Sequence, residues 1–82
     1  MPLKMSKDIE LFVHYEDTGN GQMVIRSGKL TVLNESGSNI VNEWCGTEYM
    51  PGETVMLNAS KTSDAIGYLK SIGASYKLST DL

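Results

Sequence analysis

The tripeptide Asp17-Thr18-Gly19 is the stretch of this sequence that most resembles enzyme chemistry. An aspartate in such a turn acts as an acid and a base when a second carboxylate shares its proton. The tripeptide occurs once in the chain, so the carboxylate pair would need two chains, each supplying Asp17. The flanking residues Tyr15-Glu16 and Asn20-Gly21 are instead typical of a hairpin, since asparagine and glycine tolerate positive φ angles. We therefore interpret the tripeptide as a turn.

A homodimeric aspartic protease is the remote alternative. Retroviral-type proteases carry one Asp-Thr-Gly per chain, and AIGYLKSIG over 65–73 resembles their C-terminal Ile-Gly segment. In that family an apolar strand end precedes the tripeptide, whereas Glu16 stands there in this chain. A further carboxylate beside the pair would oppose its ionisation, which counts against this alternative.

The single histidine, His14, and the single cysteine, Cys45, are the other reactive side chains. Zinc sites use several such ligands, and a Cys/His nucleophile pair needs both groups in one place. Gly19-Asn20-Gly21 lacks the strand-to-helix context and the lysine of a phosphate-binding loop. The sequence therefore predicts no enzymatic activity, no cofactor and no metal site.

The segments that must position these residues read mostly as short strands. Residues 8–16 alternate apolar and polar side chains, which predicts a strand that buries Ile9, Leu11, Val13 and Tyr15 on one face. A hairpin loop follows, and Ser27-Gly28 is then either a bulge in one long strand or a second tight turn. Residues 35–39 read as a turn and 45–53 as an irregular loop. The predicted strands are 8–16, 22–26, 29–35, 40–44, 54–58 and 74–79.

One amphipathic helix is predicted over 60–73. Ala65, Ile66, Leu69 and Ile72 recur at helical spacing, Ser63 or Thr62 suits the N-cap, and Gly73 suits the stop. Gly67 weakens this helix by about 1 kcal/mol relative to alanine, unless a strand packs closely there.

These elements predict an α+β fold in one domain over 1–82: a small antiparallel β-meander of about five strands packed against one helix (order βββ β α β). Residues 1–7 are expected to form a flexible N-terminal arm. The chain has a net charge of -3 and no run of Lys or Arg, so direct nucleic-acid binding is disfavoured, although a folded sheet could still gather Arg26, Lys29 and Lys77 on one face. A single cysteine and the absence of long apolar runs predict a cytoplasmic protein with no membrane association.

Residues 42–53 (NEWCGTEYMPGE) are the most unusual stretch in composition. Large aromatic side chains and methionine inside a polar rim are typical of protein-binding hot spots. In the alternative interpretation, the tryptophan folds back onto the core of this small domain. A second candidate surface is the polar face of the first strand. The predicted partner-binding residues are Trp44, Tyr49, Met50, Glu43 and Glu48 in the first surface and Phe12 and His14 in the second.

The function that this sequence predicts is a small non-enzymatic protein-binding module that occludes a partner surface. Small phage or mobile-element genes encode inhibitors of host systems of this kind. The acidic blocks favour a partner with a basic surface. The alternatives are a structural subunit of a homodimer, larger homo-oligomer or virion, and a single-stranded nucleic-acid-binding domain that stacks bases on its sheet.

Overall fold

The computed structural model describes residues 7–81 of the chain. It has the predicted α+β class, with a four-stranded sheet and two helices. The predicted N-terminal arm lies outside the described residues except for Lys7. Within 7–81, neither helix is long and apolar enough to cross a membrane. The elements are β1 Ile9–Asp17, β2 Met23–Val32, α1 Glu35–Cys45, β3 Thr54–Asn58, α2 Ala59–Ser71 and β4 Tyr76–Thr80.

The sheet is mixed, so the predicted antiparallel meander is wrong in one of its pairings. Its strand order is β3-β2-β1-β4; β1 and β3 pair antiparallel with β2, whereas β4 pairs parallel with β1. The α2 helix carries the chain from one edge of the sheet to the other. Such a helical crossover returns the chain to the end where the previous strand began, so the next strand runs in the same direction.

The predicted turn at 35–39 and the predicted strand at 40–44 are also wrong, because both belong to α1. The Asn34 side chain caps this helix by accepting a hydrogen bond from the Gly37 amide at 2.9 Å. Gly46 ends it in the left-handed conformation, with φ 73°. A Cβ atom at Gly37 would overlap the Asp8 carbonyl, so the weak helix former in the first turn lets α1 approach β1 closely.

The strand β2 is continuous, which confirms the bulge interpretation of Ser27-Gly28. His14 pairs with Ser27 and Tyr15 pairs with Ile25, so Arg26 is the extra residue of the bulge. Gly28 faces α2, and a Cβ atom there would lie 2.5 Å from the Thr62 hydroxyl oxygen. The close strand–helix approach is therefore at Gly28 of the strand and not at Gly67, whose Cβ position is open.

The helix predicted over 60–73 is confirmed as α2, although it begins one residue earlier, at Ala59. Its N-cap is Asn58, whose side chain accepts a hydrogen bond from the Lys61 amide at 2.8 Å. Thr62, one of the two predicted N-caps, is instead a buried residue within the helix, and its hydroxyl donates to the Asn58 carbonyl. The chain leaves this helix through Gly73 in the left-handed conformation, with φ 66°, as its composition suggested.

The hydrophobic core lies between one face of the sheet and the two helices. We call this sheet face the covered face, because α2 packs on β2 and β3 and α1 packs on β2. Three of the four residues expected to be buried on β1 are inaccessible, whereas Tyr15 is only partly buried. The buried apolar side chains are Ile9, Leu11, Val13, Leu30, Val32, Val41, Leu57, Ala65 and Leu69.

Candidate functional site

The other face of the sheet has no helix on it among the described residues, and we call it the open face. Its members follow from strand register, because cross-strand partners lie on the same side of a sheet. Phe12 pairs with Lys29 on β2 and with Ser79 on β4, and Lys29 pairs with Met56 on β3. The open face comprises Glu10, Phe12, His14, Glu16, Val24, Ser27, Lys29, Thr31, Thr54, Met56, Asn58, Lys77 and Ser79, with Arg26 at the bulge.

The centre of the open face is apolar and uneven. Met56 is 73% exposed, the largest exposure among the big apolar side chains of residues 7–81. Phe12 is partly buried by its neighbours and separates two shallow grooves. One groove, of about 270 Å³, runs between His14 and Met56, and the other, of about 250 Å³, is lined by Glu10, Phe12 and Thr31. Lys29 borders both grooves, so its stem belongs to the apolar centre while its charge stays in solvent.

Opposite charges on the open face stand on neighbouring strands. Glu10 and Glu16 are on β1, whereas Arg26 and Lys29 are on β2. Arg26 donates to the Glu16 carboxylate at 2.8 Å, and both side chains are exposed. Lys29 and Glu10 have no ion-pair partner among residues 7–81. The acids and bases of this face nearly balance, which is unlike the strongly basic surface that holds a phosphate backbone.

His14 and Asp81 form an ion pair where β4 ends beside β1. The Tyr15 backbone N–H also donates to the Asp81 carboxylate, at 3.1 Å. This backbone hydrogen bond is the main cause that lowers the pKa of Asp81 below its ordinary value of 3.8, and His14 adds to the effect. The predicted binding residue His14 therefore already has a partner within the chain, and its ring lies at the rim of the open face.

Trp44 lies on α1, where the sequence predicted the strand 40–44. Its ring stacks on Tyr68 of α2, with the ring centroids 6.2 Å apart and the planes at 23°. The Lys61 ammonium lies 6.0 Å from the indole centroid. Trp44 is partly buried against the core, so the alternative interpretation, in which the tryptophan packs inward, describes its position.

We call the first predicted surface, formed by Trp44, Tyr49, Met50, Glu43 and Glu48, the loop surface. Its members other than Trp44 divide between core and solvent. Tyr49 is partly buried, and its carbonyl accepts a hydrogen bond from the Ser38 hydroxyl. Met50 is 56% exposed, and Glu43 and Glu48 are exposed. These residues lie on α1 and in the 46–53 loop, in the helical layer, whereas Phe12 lies across the sheet. The two predicted surfaces are therefore separate.

The Asp17-Thr18-Gly19 tripeptide forms the hairpin turn that its flanking residues predicted. Asp17 accepts from the Gly19 amide at 2.9 Å, and the Thr18 amide donates to the Gln22 carbonyl at 3.0 Å. Gly19 and Gly21 have φ angles of 95° and 82°, which explains why glycine occupies both positions. All residues from 16 to 24 are exposed, so this turn is at the tip of a projecting hairpin.

Sequence reasoning missed Met56 as a member of a candidate site, and it named Lys29 only among the bases that a sheet could gather on one face. The alternation of TVMLN does place Met56 on the side opposite Val55 and Leu57, which was the available signal. The sequence did not indicate which strand would lie beside Phe12. Only the register of β1, β2 and β3 brings these three side chains together.

Comparison with known proteins adds no further assignment to these surfaces. Within residues 7–81, no group of three or more His, Cys, Asp or Glu side chains is arranged to hold a metal ion. Neither a protein-family model, nor a curated protein, nor a solved structure gives a significant match to this chain.

Proposed function

We propose that this protein is a non-enzymatic protein-binding module and that the open face is its docking surface. It acts by covering a surface of its partner. The observation that carries the proposal is a contrast between the two faces of one sheet. The two helices cover β2 and β3 on the covered face, while the open face leaves Met56 73% exposed in the same row as Lys29 and Phe12.

The composition of the open face supports a protein partner. An apolar centre with a charged rim is the usual anatomy of a protein interface. Methionine and phenylalanine bury much apolar area, and methionine adapts its shape to the partner. Because acids and bases nearly balance across this face, it matches a partner surface that carries both signs of charge. Arg26, Lys29 and Lys77 outnumber Glu10 and Glu16 by a single base, whereas a surface that holds a phosphate backbone is strongly basic.

This proposal changes the main contact surface expected from the sequence. Trp44 and Tyr49 are partly buried and pack against the core, so Met50 is the one large apolar side chain that the loop surface exposes. The acidic side chains of that layer, Glu43 and Glu48, are free to steer a basic partner, but such rim charges mainly affect the rate of association.

A matched pair of methionine variants tests which surface binds. Met56→Glu and Met50→Glu place the same charge at two exposed methionines in opposite layers. We expect Met56→Glu to weaken partner capture about tenfold or more, as loss of an interface hot spot does, and Met50→Glu to change it by less than about twofold. The measurement is quantitative capture from the native cells with mass spectrometry, with a differently tagged copy of the chain among the prey.

Circular dichroism of both variants checks that each still folds, which their exposure leads us to expect. Equal capture by wild type and Met56→Glu, with loss in Met50→Glu, would move the docking surface to the 46–53 loop. Equal capture by all three proteins would contradict both surfaces.

A further inference from the structure

We propose that the partner of the open face is a second copy of this chain, related by a twofold axis that runs along the strands between β1 and β2. This inference rests on the proposed function and names its partner. Two sheets then stack face to face, as in sheet-on-sheet packing about 10 Å apart. The contact is isologous, which means that both copies use the same surface. Each residue must therefore be complementary to the residue that the axis places opposite it.

The charges of the open face are complementary to themselves about this axis. The axis places β1 of one copy over β2 of the other. The acids Glu10 and Glu16 stand on β1, and the bases Lys29 and Arg26 stand on β2, so the acidic strand of each copy faces the basic strand of the other. By register, Glu10 of one copy lies over Thr31 of the other, one residue pair away from Lys29. Glu10 and Lys29 lack ion-pair partners among residues 7–81, which leaves both available to the second copy.

The apolar groups are complementary in the same arrangement. Lys29 and Phe12 are cross-strand partners, so the axis between their strands sets Lys29 of each copy over the Phe12 ring of the other. A lysine stem packs well on an aromatic ring, and the ammonium is attracted to the ring face. Met56 on one edge strand meets the opposite edge strand of the copy near Ser79, where a large side chain faces a small one.

Another orientation of the axis gives a poorer match. A twofold axis across the strands at the level of Phe12 would place Lys29 on Lys29 of the copy, and like charges in an interface are unfavourable. The face has four strands about 4.8 Å apart and about five residues along each strand, at roughly 3.3 Å per residue. Two such faces span roughly 630 Å² together, below the size of stable specific interfaces, so the dimer should be weak and dissociate on dilution.

A charge-swap experiment tests this pairing on the full chain. Sedimentation equilibrium over a range of concentrations gives the dimer dissociation constant of each protein. We expect Lys29→Glu and Glu10→Lys each to raise this constant about tenfold or more, because each brings like charges on the two copies within one residue pair of each other across the interface. The double variant restores opposite charges and should return to within about threefold of wild type. Lys70→Glu, an exposed lysine of α2 in the helical layer, is the matched control and should leave the constant unchanged.

The outcomes separate this inference from the proposed function. A concentration-dependent dimer that the single variants weaken and the double variant restores supports the twofold pairing. A dimer insensitive to both variants overturns it. A chain that stays monomeric at its highest soluble concentration also overturns it, but if Met56→Glu still abolishes capture of another protein, the open face remains a docking surface. Monomers together with unchanged capture would contradict both proposals.

Discussion

Met56 and Leu57 are neighbours in the same strand, yet they meet opposite surroundings. Met56 is 73% exposed on the open face, whereas Leu57 is 6% exposed on the covered face. The same contrast runs through β1, where Leu11 is buried and Phe12 borders two grooves. Burial on one face stabilises the fold, and we propose that the other face makes contacts with a partner, so substitutions on the two faces should affect different measured properties.

The largest effect is expected from truncation on the covered face. Leu57→Ala should lower the free energy of unfolding by about 2–4 kcal/mol, because it removes buried methyl groups and leaves a cavity. Met56→Ala should change it by less than about 0.5 kcal/mol, since that side chain is mostly in solvent. Urea denaturation of both variants measures the difference. Similar losses in the two variants would contradict the contrast between the faces.

The next effect concerns the closest approach of a helix to the covered face. Gly28→Ala should cost about 1–3 kcal/mol of unfolding free energy, because its Cβ would meet Thr62 on α2. Adding Thr62→Ala removes the clashing atoms, so the double variant should be more stable than the sum of the single effects. The control is Gly67→Ala on the exposed side of α2, where no atom lies within 4 Å and about 1 kcal/mol of helix propensity is gained. If Gly67→Ala lowered the free energy of unfolding as much as Gly28→Ala does, the closest contact between α2 and the sheet would not be at Gly28.

The smallest effect lies at the rim of the open face and depends on pH. Because the folded chain lowers the pKa of Asp81 below 3.8, this carboxylate stabilises the fold above its unfolded pKa, and the stabilisation is lost as the pH falls through the lower folded value. Asp81→Asn should therefore show a shallower fall in unfolding free energy at acidic pH than wild type, measured by urea denaturation at a series of pH values.

His14→Gln is the control for that measurement. It removes the ion pair but keeps the Tyr15 amide donor, which is the main cause of the lowered pKa of Asp81. Most of the acid dependence should then remain. If His14→Gln abolishes it as completely as Asp81→Asn, the ion pair and not the backbone hydrogen bond holds the carboxylate.

Local patterns predicted those elements whose burial follows a simple period. The alternation over 8–16 predicted β1 and its buried side, TVMLN predicted β3, and the helical spacing of Ala65 and Leu69 predicted α2. The two glycines after Thr18 predicted the hairpin. Each of these strands, and α2, contacts the core with one side only. Their apolar residues therefore recur with the period of a strand or of a helix, which can be recognised in the sequence.

The first helix was missed because its apolar residues are few and its first turn contains Ser36, Gly37 and Ser38. These residues have low helix propensity, and they read as a turn. Asn34 as N-cap and Gly46 as stop were the available signals, together with the helical spacing of Val41 and Trp44. Tertiary packing overrides propensity here, since Gly37 is required where α1 meets the Asp8 carbonyl.

The candidate site was predicted only in part. The sequence selected Phe12 and His14 on the polar side of β1, and both lie on the open face or at its rim. The sequence analysis assigned Trp44 to the loop surface because Trp44 lies close to Tyr49 in the chain. Its contact with Tyr68 comes from the packing of α1 on α2, and no spacing along the chain records that contact.

The α+β class, the hairpin and the alternation of buried and exposed residues along the strands can be read from the sequence, because side-chain period and turn chemistry act over a few residues. Only the tertiary structure decided that β4 runs parallel to β1 and that Met56, Lys29 and Phe12 lie in one row. Strand order and register depend on contacts between residues far apart in the chain, and a change of register by one residue would turn each side chain to the other face.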